Sequence, residues 1–205
     1  MTIPAPTTRR AALAAAGVLV LGLAACGTDD GHGGHMDGTT TGGSAPSADG
    51  DHVQADVVFN AMMVPHHLQA IEMADLVPDR TKDPEVRDLA ERIRGAQQPE
   101  VDRMTGWLAA WGAAPMDQHG HGDHGDEGGT SGMMSDEDLV ELGALRDAAF
   151  DRRWLEMMVE HHEGAVTMAQ TVIRTGRHAG TRALAEEIIT AQQQEIAEMK
   201  ALLPG

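Results

Sequence analysis

Met62-Met63-Val64-Pro65-His66-His67 and Met157-Met158-Val159-Glu160-His161-His162 are one stretch written twice, 95 residues apart. The register continues: Ala70, Met73 and Ala74 fall on Ala165, Met168 and Ala169, and Ala90, Ile93, Gln97, Glu100 and Met104 fall on Ala185, Ile188, Gln192, Glu195 and Met199. Within each copy the apolar residues recur three and four apart, which is the spacing of one face of an α-helix. Each copy holds two such stretches, so a duplicated helical hairpin follows. No alternating run long enough for a strand occurs. The expected fold is all-α: a four-helix bundle of ferritin-like type, made of two repeated helical hairpins.

Start and stop residues set the helix limits. The first helix is expected from about Asp51 to Val77, with Pro65 loosening a turn inside it and Pro78 ending it. Asp83 as N-cap, Pro84 at the first helical position and Glu85 in the first turn open the second, which runs to near Trp111 before Gly112. Pro99 should bend this helix, whereas its counterpart Gln194 should not bend the fourth. Residues 112–134 are a Gly-, His- and Asp-rich connection with His119, His121, His124, Met133 and Met134. Ser135 with Asp138 resembles a capping box, opening either a short helix or the first turns of the third long one, which stops near Gly176. The fourth spans about Thr181 to Leu203, before Pro204. A connection of 23 residues can run the length of a helix of roughly 40 Å, so up-down-up-down and crossover orders are both open.

The N-terminus reads as an export signal. Arg9 and Arg10 precede an apolar run from Ala11 to Ala25 that is too short to span a bilayer permanently. Leu23-Ala24-Ala25-Cys26-Gly27 has the pattern of a lipoprotein cleavage site, with Cys26 as the acylated residue. Residues 1–26 are thus expected to be the signal segment, 27–51 a Gly-, Ser- and Thr-rich flexible tether, and 52–205 the bundle domain. The expected location is the outer face of the cytoplasmic membrane, reached through the lipid alone. Loss of Arg9 and Arg10 moves the net charge from −17 to −19. An acidic surface of this size repels nucleic acid and concentrates cations.

Cys26 is the single cysteine, so once it is acylated no thiolate is available for zinc, disulfide or nucleophile chemistry. The chain holds 13 methionines and only five aromatic residues, so thioether is plentiful where aromatic packing is scarce. On a helical wheel centred on Phe59, Met62, Met63, His66, Ala70, Met73, Ala74 and Val77 lie within about 60°, and His67 lies about 80° round. His161 and His162 take the same places in the second copy. On the partner helices Gln97, Glu100, Gln192 and Glu195 fall on otherwise apolar faces, where an unanswered carboxylate is costly. Antiparallel pairing within each hairpin sets His66 near Gln97 and Glu100, and His161 near Glu195. The expected metal ligands are therefore Met62, His66, His67, Met104, Met157, His161, His162 and Met199. Glu100, Glu195, Gln97 and Gln192 are expected behind them, orienting the rings. His66 and His161 read as inner ligands, and His67 and His162 as outer, more exchangeable ones.

Imidazole with thioether and no thiolate suits Cu(I) and, by extension, Ag(I), and imidazole also holds Cu(II). No helical glutamate has a histidine three residues on, which argues against a di-iron oxidase. The expectation is a non-enzymatic copper-binding protein that buffers or sequesters the metal. The alternatives are a metal-dependent oxidoreductase using the same core and a structural lipoprotein whose repeated stripe is only packing.

The Met-Met-Val-Pro-His-His-x-x-Ala-Ile-x-Met-Ala motif of residues 62–74, with Phe150-Asp151-Arg152-Arg153-Trp154-Leu155-Glu156-Met157-Met158 and His161-His162-Glu163-Gly164-Ala165, resembles the domain of unknown function three-hundred-and-five family over residues 52–203. The resemblance implies a ferritin-like bundle, often exported, with some members linked to copper binding and copper tolerance. His66, His67, His161, His162 and the flanking methionines sit at its motif positions.

Overall fold

The computed structural model describes residues 51–116 and 132–203. The export signal, Cys26, the tether and His119, His121 and His124 lie outside the described residues. Five helices are present among those described: α1 (Gln54–Arg80), α2 (Pro84–Ala110), α3 (Asp136–Ala144), α4 (Asp147–Thr175) and α5 (Ala179–Leu202). The fold is all-α, and of the described helices four are long and one is short. No described helix is long and apolar enough to cross a membrane.

Most of the sequence punctuation acts as expected. Asp83 caps α2 by accepting from the Glu85 and Val86 amides, and Gly112 takes φ +70 just beyond the helix end. Replacing Asp83 with alanine leaves those amides unanswered. It should lower stability by about 1 kcal/mol, read as a lower thermal midpoint by circular dichroism. Ser135 and Asp138 form the capping box of α3. The break before α4 has extended backbone at Leu145 and Arg146, then Asp147 at φ +50, a region that Asp tolerates better than most residues.

Two features differ from expectation. Pro78 does not end α1, which continues to Arg80. The α2 residue Arg87 bonds the Pro78 and Thr81 carbonyls, and Arg80 Nε donates to the Gly143 carbonyl, so tertiary contacts hold the last turn in place. The fourth long helix begins on a histidine cap. His178 Nδ1 accepts from the Thr181 amide, while the ring stands edge-on to Trp107 and Trp111. His178 is the counterpart of Asp83 in the repeat, so a ring nitrogen here does what a carboxylate oxygen does there.

The hairpins α1–α2 and α4–α5 face each other mainly through α1 and α4. These run antiparallel: Asn60 near the start of α1 donates to Thr181 Oγ1 at the start of α5, and Trp154 Nε1 near the start of α4 donates to the Met73 carbonyl. The end of α2 and the start of α4 therefore lie at opposite ends of the bundle. The connection order is the crossover order of ferritin-like bundles, not up-down-up-down. Apolar burial divides into two clusters. One joins Met73, Val77, Leu89, Ile93, Phe150, Trp154, Met157, Met158 and Met199. The other joins Phe59, Met63, Val101, Met104, Leu108, Val172, Leu184 and Ile188. The duplicated histidines lie between them in both α1 and α4.

Candidate metal centre

His66 and His161 meet across the α1–α4 contact with ring centroids 3.8 Å apart and planes tilted by 39°. Residue 66 maps onto 161 in the repeat, so this pair lies on the pseudo-twofold axis of the bundle. One residue further on, His67 turns toward α2 and His162 toward α5. His67 Nε2 donates to Glu100 Oε2 at 2.7 Å, and His162 Nε2 donates to Glu195 Oε2 at 2.9 Å. All four imidazoles are buried.

This corrects two expectations. The carboxylates answer His67 and His162, not His66 and His161, and the second histidines are as deeply buried as the first. The reason is that α1 has two neighbours. Its apolar stripe is wide because one edge packs on α2 and the other on α4, so the centre of the stripe does not point into its own hairpin. A step of about 100° from His66 to His67 moves from the facing hairpin to the partner helix.

The layer is short of hydrogen bonds. His67 Nδ1, His162 Nδ1, both ring nitrogens of His161, both amide atoms of Gln97 and Gln192 Oε1 are buried without a partner of good geometry. Buried polar atoms are normally satisfied, and each orphan costs about 1–3 kcal/mol. Carboxylate acceptance places the proton of His67 and of His162 on Nε2, which in the neutral ring leaves the Nδ1 lone pair open. His161 is held well below the ordinary imidazole value of 6.5. Burial is the first cause, followed by repulsion from His66, His162 and His67, and a backbone group of His66 opposes the shift only weakly. A neutral buried ring with an open lone pair, as in His161, is the state in which histidine binds metal. Among the described residues no three His, Cys, Asp or Glu side chains converge in ready-made ligand geometry; the imidazoles stand in pairs.

Sulfur borders the layer on both sides. Met104 and Met63 are fully buried in one apolar cluster, and Met157, Met158 and Met199 in the other. Met62 differs from expectation: it is half-buried and belongs to neither cluster. Its counterpart Met157 shares a cluster with Met134 and Leu142 from the connection and α3. The wheel places Met62 and Met63 on the same stripe and does not rank them.

Two residues that sequence reading does not single out, Gln69 and Gly132, close the α1–α4 side together with Met134. Gln69 exchanges two hydrogen bonds of 2.8 Å with the backbone of Met134. Gly132, at φ +81, lies so close to α4 that a Cβ there would stand 2.6 Å from the Glu160 carbonyl and 3.1 Å from the His161 Cα. The strap Gly132–Met134 thus crosses from α4 at His161 to α1 at Gln69. The repeat holds the signal for it: Gln69 is matched by Gly164, a mismatch beside the matched His-His pair.

A duplicated helical hairpin, with one His-His pair and one partner carboxylate per copy, defines the class of protein. The chain belongs to the DUF305 family, described as a domain of unknown function, whose profile matches residues 56–203. It is similar to a DUF305 protein of Streptomyces coelicolor, 34% identical, with 72% of this chain and 91% of the other covered and a TM-score of 0.64. It is also similar to CopM solved in a Cu(II)-bound form, 32% identical, covering 71% of this chain and 93% of CopM at a TM-score of 0.59. CopM structures in Cu(I)-bound and silver-bound forms match at 29% identity and TM-scores of 0.58. An uncharacterized protein of Acanthamoeba polyphaga mimivirus is 37% identical over 67 residues, 32% of this chain, and the match spans 44% of the viral protein's length.

Proposed function

We propose that this chain is an exported, lipid-anchored protein that binds copper as cargo in the histidine layer and so buffers or sequesters it outside the cytoplasmic membrane. The observation that carries the proposal is the layer itself: four buried imidazoles between methionine-bearing clusters, with unpartnered ring nitrogens on His67, His161 and His162. His66, His67, His161 and His162 would hold the metal, with thioether from Met104 and Met199. Imidazole and thioether together favour Cu(I), and imidazole alone accommodates Cu(II). Glu100 and Glu195 would keep His67 and His162 in the tautomer that leaves Nδ1 available. The CopM structures with Cu(II), Cu(I) and silver support this choice of metal. Anchoring rests on Cys26 behind its apolar run, and the Streptomyces relative, described as secreted, supports export.

The test is anaerobic titration of the domain with Cu(I) against a chromophoric chelator, together with thermal unfolding. A ligand that binds only the folded state, present at 100 times its Kd, should add about 2.7 kcal/mol of stability. A melting temperature indifferent to Cu(I), Cu(II) and Ag(I) would leave the stripe as packing alone.

A further inference from the structure

The histidine layer has two faces that are not packed within a hairpin. One is the α1–α4 groove, closed by the Gly132–Met134 strap and its Gln69 latch. The other is the seam between α2 and α5, and its construction is different. Along α2, Gln97, Glu100 and Arg103 are three residues apart, so each side chain turns about 60° further from the core than the last. Gln97 is 3% exposed and its amide has no partner; the Glu100 side chain is 13% exposed and bonds His67; Arg103 is exposed and pairs with Glu187 of α5. Gln192, Glu195 and Glu198 form the same row on α5, where Glu198 pairs with Arg92 of α2. Arg92–Glu198 and Arg103–Glu187 are equivalent under the 95-residue shift, and they clip the seam on either side of the two carboxylates.

Each row is a polar path from water to a buried ring nitrogen. Glu100 and Glu195 touch solvent at one end and an imidazole with no exposure at the other. We infer that the α2–α5 seam is the mouth through which a monovalent soft cation reaches the histidine layer, with Glu100 and Glu195 receiving it. This rests on the copper reading above. The carboxylates attract the cation, partly strip its water and hand it to the imidazoles, while the exposed Arg92 and Arg103 pairs set how readily the seam parts. The strap face, by contrast, offers a backbone latch and a glycine pressed on a helix.

A route and a ligand differ in kinetics. Widening a route speeds loading and release by the same factor and leaves affinity alone. The probe is Ag(I), as silver nitrate in chloride-free buffer, loaded onto the full chain and then stripped with excess thiosulfate, with bound silver counted by elemental analysis. Arg92→Ala with Arg103→Ala removes two exposed pairs that contribute little to folding. Loading and stripping should both accelerate, by about tenfold, with Kd unchanged. Glu100→Gln with Glu195→Gln should slow loading and flatten its dependence on ionic strength. Gln69→Ala should leave both rates at the parental value. The mouth is placed wrongly if Gln69→Ala accelerates exchange while both seam variants load at the parental rate. A parent chain that takes up no Ag(I) or Cu(I) at all overturns the copper reading, and the mouth with it.

Discussion

Replacing His66 and His161 together with alanine should remove high-affinity Cu(I) and Ag(I) binding, lowering affinity by at least about 100-fold. These two rings face each other on the bundle's axis, 3.8 Å apart, one from each hairpin. Neither hairpin alone supplies both, so the pair is where a metal would join the two halves of the chain. Exchange for alanine takes away two candidate imidazole ligands but leaves the His67–Glu100 and His162–Glu195 pairs in place. Any remaining binding should therefore be weaker and carried by the outer pairs. The measurement is competition titration with a chelator of known affinity, with circular dichroism to confirm that the variant is folded. Parental stoichiometry and affinity in a folded double variant would refute the central role of the axial pair.

The metal-free domain should lose stability as the pH falls below 6.5. His161 is kept neutral first by burial and then by His66, His162 and His67. In the unfolded chain the same imidazole takes up its proton near 6.5. Below that value the unfolded state binds a proton that the folded state refuses, so acid favours unfolding. The loss amounts to about 1.4 kcal/mol for each pH unit, until the folded ring itself is protonated. Above pH 6.5 both states are neutral at this position and it contributes no slope. Urea unfolding at pH 7.5, 6.0 and 5.0 would measure this, and His161→Gln should flatten the acid limb. A parent domain equally stable from pH 7.5 to 5.0 would show that the ring is not dry. Bound metal adds to the same trend, because protonated histidine cannot ligate.

Much of the fold is legible in the chain because its signals are local. Asp83 with Pro84, Ser135 with Asp138, and Gly112 act through their own backbone neighbours, and each marks a boundary where expected. The register of Met62-Met63 on Met157-Met158 specifies the hairpin repeat without any tertiary knowledge. What the chain does not disclose depends on which helices touch. The crossover order follows from α1 lying antiparallel to α4, a contact between segments nearly a hundred residues apart. The partner of Glu100 is decided by the same contact, since the α1 stripe is shared between two neighbours. Pro78 is overruled because Arg87 and Arg80 hold the turn around it. Of the candidate ligands, the four histidines, Met104, Met157 and Met199 are buried in or beside one layer. Met62 alone stands apart, whereas Met157 packs in a cluster with Met134 and Leu142.

The equivalence of the two halves has a consequence for ancestry. Every group in the histidine layer is present in duplicate, and the hairpins meet about an axis that exchanges them. A chain of half this length could build the same layer by associating with a second copy of itself, with no linker between the two. Gln69 opposite Gly164 marks where that interchange has ended. There, one strap serves a groove with two equivalent walls, and the fused chain has given those walls different work.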